Sequence, residues 1–122
     1  MREIKFRAWD KINKKWIKHF NIDLLNINIF VLSNIEINQY TNVNDVNEKE
    51  IYENDIVETT WWNEQDEKYR KTGKVICKNG MCLIEFLKED YRNYEGQSLY
   101  HAIDVIKLGN IYENKDLIGD ED

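Results

Sequence analysis

The sequence predicts a mainly β, β-rich α+β fold: a compact single domain with a small, partly closed barrel and an N-terminal β-hairpin layer. Several short segments alternate apolar and polar residues with a period of two, which is typical of half-buried strands. An Asn-Gly pair separates two apolar segments, which favours a two-residue hairpin turn. No segment sustains the 3.6-residue period of an amphipathic helix. The length of 122 residues fits one domain, which we assign to residues 1–119, with residues 120–122 expected to fray.

The N-terminal part of the chain is predicted to contain a hairpin and two further strands. Apolar residues alternate with basic ones from Ile4 to Trp9, a polar stretch follows, and the strand pattern returns at Trp16. Two strands separated by a short polar stretch form a hairpin, which we predict over residues 4–20. The next segments are predicted as strand, strand and loop: 22–31, 35–40 and 41–49.

The rest of the chain is predicted to form an SH3-like barrel. A tight polar corner at residues 51–55 precedes a strand rich in β-formers, and small SH3-like barrels often begin with such a corner, a twisted strand and a hairpin. Asn79-Gly80 favours a type I′ turn, because both central residues need a positive φ, and this turn places Cys77 opposite Cys82. The predicted core face of the hairpin is Val75, Cys77, Cys82, Ile84 and Phe86. The strands are predicted at 55–62, 73–78, 81–87 and 99–108, with polar excursions at 63–72 and 88–97.

Charge is segregated along the chain. The net charge is −6, but residues 1–18 contain seven basic and two acidic residues, which gives a local charge of +5. Residues 36–67 contain ten acidic residues and one lysine, which gives a local charge of −9. Such asymmetry affects partners and encounter rates rather than the fold, although short charged stretches on a small β protein are often only solvated faces.

The composition indicates a cytoplasmic protein without a membrane partner. A chain that is 42% hydrophobic and 33% charged is not of the disordered class. The charges of Arg2, Glu3 and Lys5 exclude the apolar core of a signal peptide over residues 1–5. The longest weakly charged segment, 21–35, is interrupted by polar residues and cannot span a membrane. Without an export signal, the two cysteines are predicted to be free thiols.

The sequence lacks the residue patterns of common catalytic sites. It contains no Gly-x-Ser-x-Gly elbow, phosphate-binding loop or dinucleotide fingerprint. Cys82 with His101 as a nucleophilic pair is disfavoured, because Cys82 lies on the predicted core face. Glu50, Glu53 and Asp55 are able to chelate a hard cation, but acid-rich corners are more often solvated or capping. We therefore predict no enzymatic activity, no metal and no cofactor.

Three blocks of the sequence resemble a known protein family. They are REIKFRAWD at residues 2–10, QYT at 39–41 followed by KEIYENDIV at 49–57, and IKLGNIYEN at 106–114. In this order they are similar to the YopX family of small phage and prophage proteins, and they span nearly the whole chain. The resemblance implies a phage-encoded cytoplasmic protein with a compact, mostly β fold, and it brings no catalytic chemistry with it.

The chain departs from the family pattern at four positions. Similar proteins usually have Gly where this chain has Asn42, Glu48 and Asn54, and commonly have Pro where it has Lys115. Asn tolerates the left-handed region better than other non-glycine residues. Because Glu tolerates the left-handed region poorly, we expect Glu48 to give the loop at 42–48 another shape here. Lys115 removes a fixed turn and leaves the C-terminal segment less determined.

The predicted function is that of a non-enzymatic phage or prophage accessory protein that binds a host or phage macromolecule, in its sharpest form a counter-defence inhibitor with an acidic surface. The acidic stretch is expected to face a basic surface of the partner, a host or phage protein. Neighbouring aromatic residues are expected to be the anchors, because aromatics often dominate interface energy. The predicted contact residues are Tyr40, Tyr52, Glu53, Asp55, Trp61, Trp62, Glu64, Asp66 and Glu67.

Two alternatives from other classes stay open. One is a small-barrel nucleic-acid-binding module whose basic hairpin stacks bases on its aromatics, although a pI of about 5.0 opposes attraction to phosphate. Trp9 and Trp16 are equally able to pin the hairpin by cross-strand packing. The other is a homo-oligomer formed through Trp61 and Trp62, since one of two neighbours on a strand faces outward. The nucleic-acid face would comprise Lys5, Arg7, Trp9, Lys14, Lys15, Trp16 and Lys18.

Overall fold

The protein is mainly β, as predicted. The computed structural model describes residues 3–17, 34–62, 64–86 and 97–118. Within these residues, helix is confined to two 3₁₀ turns, Leu99–His101 and Lys115–Ile118, and neither is long and apolar enough to cross a membrane. The chain packs into two compact units, Met1–Tyr40 and Thr41–Asp122. The predicted strand at 22–31 and the frayed end at 120–122 lie outside the described residues.

The first unit contains the predicted N-terminal hairpin. Strands β1 (Phe6–Asp10) and β2 (Lys15–Trp16) are antiparallel, and β1 also pairs with the first part of β3 (Ile35–Asn44), so that the order is β2-β1-β3. Asp10 closes the hairpin turn, because one of its carboxylate oxygens accepts hydrogen bonds from the backbone N–H groups of Ile12 and Asn13 at 2.9 and 3.0 Å. The bond from the Asn13 N–H is the main reason why the pKa of Asp10 is lowered.

The second unit contains a five-stranded sheet. The strands of this unit are β4 (Glu50–Tyr52), β5 (Asp55–Trp62), β6 (Lys68–Lys78), β7 (Met81–Phe86), β8 (Gln97–Ser98) and β9 (Ile103–Asn110). The sheet has the order β8-β7-β6-β5-β9, and the end of β3 is a neighbour of β4. The last strand returns to pair with β5 directly after the 3₁₀ turn at 99–101. A meander whose final strand follows a 3₁₀ turn and pairs with the first strand is the arrangement of SH3-like small barrels, and the predicted strands are those that form it.

Several predicted boundaries are wrong. Glu50–Tyr52 form a short strand where a corner was predicted, and β9 ends at Asn110 instead of residue 108. Strand β3 continues to Asn44 into the predicted loop, where the Thr41 hydroxyl donates to the Ile51 carbonyl at 2.7 Å. Strand β6 begins at Lys68, five residues earlier than predicted, because residues 68–72 pair with the end of β5. Residues 99–101 form a 3₁₀ turn instead of the start of a strand. In the cases of β3 and β6 the local composition is polar or mixed, and pairing with distant residues overrides it.

The Asn79-Gly80 turn confirms the predicted hairpin register. Both residues have a positive φ, 53° and 78°, as a type I′ turn requires. Cys77 pairs with Cys82, and their Cα atoms lie 4.1 Å apart. The two sulfur atoms are joined in a disulfide, so the expectation of two free thiols is wrong for this structure. That expectation came from the presumed compartment, whereas the bond follows from the cross-strand register.

The predicted core face of the β6–β7 hairpin is confirmed. Four of its five members are buried and Cys77 packs against them. Gly73 lies where β6 and β7 approach closely, since a Cβ there would come within 2.6 Å of the Ile84 methyl and 2.7 Å of the Glu85 carbonyl oxygen. The buried cluster of this unit comprises Ile51, Val57, Val75, Cys82, Ile84, Phe86, Leu99 and Val105.

The three positions where similar proteins have Gly are all left-handed. The φ angles are 66° at Asn42, 64° at Glu48 and 71° at Asn54. The expectation that Glu48 changes the loop shape is therefore wrong: the chain keeps the left-handed conformation and places a glutamate in it. A non-glycine residue with such a φ is strained, because its Cβ approaches a carbonyl oxygen.

Replacing Glu48 with Gly is expected to stabilise the protein by about 1 kcal/mol. The left-handed strain disappears, and the extra freedom of Gly in the unfolded chain offsets part of the gain. Urea unfolding measures the change as a shift of the midpoint. Lys49→Gly is the matched control at the next residue, which is not left-handed, and it is expected to destabilise. Equal destabilisation by both substitutions would contradict the left-handed assignment.

Candidate binding surface

A pocket of about 330 Å³ lies in the second unit, where the end of β5 approaches the start of β9. Strand β5 supplies one wall, and β8 with the following 3₁₀ turn supplies the other. Exposed and half-buried side chains contribute most of the lining, so the pocket is accessible from solvent. The lining residues are Thr59, Thr60, Trp61, Trp62, Gln97, His101, Ala102 and Ile103.

The two adjacent tryptophans have different roles, as strand alternation predicts. Trp61 packs edge-to-face against Phe86, with ring centroids 5.5 Å apart. The Lys71 ammonium lies 4.8 Å from the Trp61 ring centroid and 4.2 Å from that of Phe86. Trp62, by contrast, is 44% exposed. Trp61 therefore belongs to the framework of the pocket, and Trp62 presents its indole to solvent.

Arg70 fixes the strand that carries these tryptophans. Its guanidinium donates to the Glu58 carboxylate at 3.0 Å, to the Thr60 hydroxyl at 2.8 Å and to the Asp104 carbonyl at 2.9 Å. On the other face of β5, the Thr59 hydroxyl donates to the Ile103 carbonyl at 2.7 Å. These bonds tie β5 to both of its neighbours, β6 and β9. The pocket walls are therefore held by the sheet, and Glu58 is engaged in that framework.

Three of the predicted acidic contact residues follow Trp62 in the β5–β6 connection. Glu64, Asp66 and Glu67 are all exposed, and Asp66 has a φ of 60°, which gives this connection a sharp change of direction. The three acids are not among the lining residues of the pocket, and the connection ends at the exposed Lys68, which pairs with Trp62. Three exposed carboxylates against this one lysine favour oppositely charged groups near the connection. The structure thus brings these acids and Trp62 to the same end of the β5–β6 ribbon.

Asp55 and Tyr40, also predicted as contact residues, are interior residues. Asp55 is 0% exposed. One of its carboxylate oxygens accepts a hydrogen bond from the Tyr52 N–H at 2.7 Å and forms an ion pair with the Lys107 ammonium at 3.1 Å. Tyr40 is 7% exposed and lies in the first unit. Neither presents its side chain to a partner in this conformation. Tyr52 and Glu53 are half-buried at the corner before β5.

Asp45, another acid of this stretch, caps a loop. Its carboxylate accepts hydrogen bonds from the backbone N–H groups of Asn47 at 2.8 Å, Lys49 at 2.9 Å and Lys107 at 2.9 Å. Burial alone would raise the pKa of Asp45, but the three N–H groups and the charge of Lys49 outweigh it, so the pKa is lowered. The predicted charge of −9 therefore overstates the acidic surface, because Asp45 and Asp55 are structural.

The basic hairpin uses its aromatic residues for packing. Trp9 is buried and meets Trp16 edge-to-face, with ring centroids 4.9 Å apart. The Arg7 guanidinium covers the Trp16 ring at 4.3 Å and donates to the Asn38 side chain at 3.1 Å. These contacts are the cross-strand packing that the sequence left as an alternative to base stacking. Lys14 and Lys15 are exposed, Lys5 is half-buried, and Lys18 lies outside the described residues.

Sequence reasoning missed one wall of the pocket. Gln97, Ala102 and Ile103 received no role from the sequence, and His101 was considered only as a catalytic partner. They join Trp62 because β9 returns to pair with β5, in a register that places Thr60 opposite Ile103. The exposed Ile103, at 46%, was the available signal, since it is an apolar residue outside the predicted core.

Comparisons with known proteins agree with this fold. A crystal structure of protein EF1440 from Enterococcus faecalis is similar, with a TM-score of 0.57 and 21% sequence identity over 95% of this chain and 98% of that one. At this identity the likeness concerns the fold alone. No curated protein matches the chain significantly. The family model described as YopX protein matches residues 20–119. Because this match covers most of the sequence and includes the second and third sequence blocks, the chain belongs to the YopX family.

Proposed function

We propose that this YopX-family chain is a non-enzymatic phage or prophage accessory protein that docks on a basic surface of a host or phage protein. The docking site is the acidic pocket surface, defined as the pocket together with Trp62, Glu64, Asp66 and Glu67. The observation that carries the proposal is the exposed Trp62 at a pocket that the sheet holds in place. Solvent-exposed tryptophans of this kind are common interface hot spots.

The charge of this surface supports a basic partner. The three exposed carboxylates lie two to five residues after Trp62 in the chain, and complementary charge speeds encounter and fixes orientation. A basic surface that normally serves nucleic acid fits these requirements, which makes a counter-defence inhibitor the sharpest form of the proposal. Such a role requires no catalytic group, in agreement with the patterns that the sequence lacks.

Charge reversal of the three acids is expected to reduce partner binding. The triple variant E64K/D66K/E67K and the wild type are used as baits in lysates of infected and uninfected host cells. Because the positive charges would repel a basic partner, we expect at least about tenfold weaker recovery of the main captured protein. Quantitative mass spectrometry of the captured proteins measures it.

A matched control separates the site from the net charge. The variant E48K/E85K/D116K reverses three exposed acids elsewhere and changes the net charge by the same amount, so it is expected to retain the partner. Equal recovery by all three baits would contradict the proposed surface. Recovery that nuclease abolishes and that K14E/K15E reduces would instead favour the basic hairpin as a nucleic-acid-binding face.

A further inference from the structure

We propose that the occupant of the pocket is an arginine side chain, presented by a basic segment of the partner protein. This inference rests on the proposed function and names the chemistry that the acidic pocket surface recognises. It is carried by three features of the pocket: its apolar wall, the exposed indole at Trp62, and the carboxylates that follow.

The pocket wall suits the aliphatic stem of a long cation. Trp61, Ala102 and Ile103 line it with apolar surface, and long basic side chains bury their methylene stems against such surface while the charged head stays at a polar rim. The volume of about 330 Å³ lies at the small end of ligand sites. It therefore fits one or two side chains.

Trp62 supplies a stacking partner for a planar cation. A guanidinium over an indole face is a favourable cation–π arrangement, and this chain already forms one, with Arg7 over Trp16 at 4.3 Å. Arginine is also more weakly hydrated than lysine, so its transfer to an aromatic surface is easier. The exposed fraction of Trp62 is the surface that an incoming guanidinium covers.

The third feature is the set of carboxylates, which suit the paired N–H donors of a guanidinium group. Glu64, Asp66 and Glu67 are exposed acceptors on the β5–β6 connection, and a guanidinium bonds to carboxylates with two parallel N–H groups, which an ammonium cannot do. The Gln97 side chain adds a neutral acceptor in the lining. An aromatic or aliphatic anchor would use the apolar wall alone, and a phosphate would be repelled by the carboxylates.

Three synthetic peptides test the choice of cation. The probes are nine-residue, end-capped peptides of Gly and Ser with three basic positions, filled with Arg, with Lys or with citrulline. We expect the Arg peptide to bind the full-length protein about tenfold more tightly than the Lys peptide. Citrulline keeps the shape but not the charge, so this peptide is expected not to bind. Isothermal titration at low salt measures the affinities, and the intrinsic tryptophan fluorescence of the wild type, compared with that of Trp62→Phe, isolates the response of Trp62.

Substitutions at Trp62 locate the binding site. Trp62→Ala is expected to abolish the preference for Arg over Lys, whereas Trp62→Phe retains part of it because phenylalanine also offers a ring face. Met81→Ala is the control, because Met81 is an equally exposed apolar residue, paired with the opposite end of β6. The urea unfolding midpoint and the peptide affinities of the Met81→Ala variant are expected to match those of the wild type.

The outcomes separate this inference from the proposed function. Equal binding of the Arg and Lys peptides, or tighter binding of a peptide with Phe at the three positions, would overturn the arginine assignment. Light scattering that showed a wild-type oligomer and a monomeric Trp62→Ala variant would overturn it too, because a second copy of the chain would then occupy the site. The proposed function would stand if E64K/D66K/E67K still lost the captured partner. If that triple variant also captured the partner normally, both would fail.

Discussion

Replacing Lys107 with Met is expected to destabilise the protein by about 3–5 kcal/mol, the cost of leaving a buried charge without its ion pair. The Lys107 ammonium lies 3.1 Å from an oxygen of Asp55, which is fully buried, and donates to the Glu50 carbonyl at 3.0 Å. Without the Lys107 ammonium, the buried Asp55 carboxylate has lost its counter-charge. Urea unfolding at neutral pH measures the loss.

A double-mutant cycle tests whether the effect belongs to the pair. Adding Asp55→Asn to Lys107→Met removes the orphaned charge, so the double variant is expected to be less destabilised than the sum of the two single changes. Lys78→Met, at an exposed position, is the control and is expected to change stability by less than about 0.5 kcal/mol. A Lys107 variant as stable as the Lys78 variant would show that the ion pair is unimportant.

Asp45→Ala is expected to cost about 3 kcal/mol, because it removes a charged acceptor from three backbone N–H groups, and hydrogen bonds to charged groups contribute about 1.5–3 kcal/mol each without full additivity. One of those groups belongs to Lys107 in β9, so the substitution releases β9 as well as the loop at 45–49. Glu85→Ala is the control at an exposed acid on β7, expected within about 0.5 kcal/mol of the wild type.

The contribution of Asp45 is also expected to depend on pH. Its pKa is lowered in the folded state relative to about 3.9 in the unfolded chain. The stabilisation is therefore complete above the unfolded value and is lost as the pH falls through the folded one. The difference in unfolding free energy between wild type and Asp45→Asn should be constant from about pH 5 to 7 and shrink below about pH 4. A difference that grows at acid pH would contradict this assignment.

The local features of the fold were predictable because they depend on near neighbours in the sequence. The Asn79-Gly80 turn requires a positive φ at two adjacent residues, and only a few residue types accept it. Once the turn is set, the strand period of two determines which side chains of the hairpin share the core face. The same reasoning placed one of the two adjacent tryptophans outward. The glycines of similar proteins located three further left-handed positions, although the conformation that Glu48 tolerates was underestimated.

The disulfide shows how a correct register can accompany a wrong chemical expectation. The turn placed Cys77 opposite Cys82, and the structure confirms that pairing. Whether two opposed thiols are joined depends on geometry and redox conditions together. The argument from the cellular compartment considered only the redox conditions, so it predicted two free thiols.

The sequence by itself determined the fold class, the register of the β6–β7 hairpin and the segregation of charge, because strand alternation and turn chemistry act over a few residues. Only the tertiary structure decided which acids are interior and which form a surface. Asp45 and Asp55 are buried and both contact Lys107, which is more than fifty residues away, whereas Glu64, Asp66 and Glu67 remain exposed. The pocket likewise exists because β9 returns to β5. Burial and pairing at such separations depend on how the whole unit packs, and no local pattern encodes them.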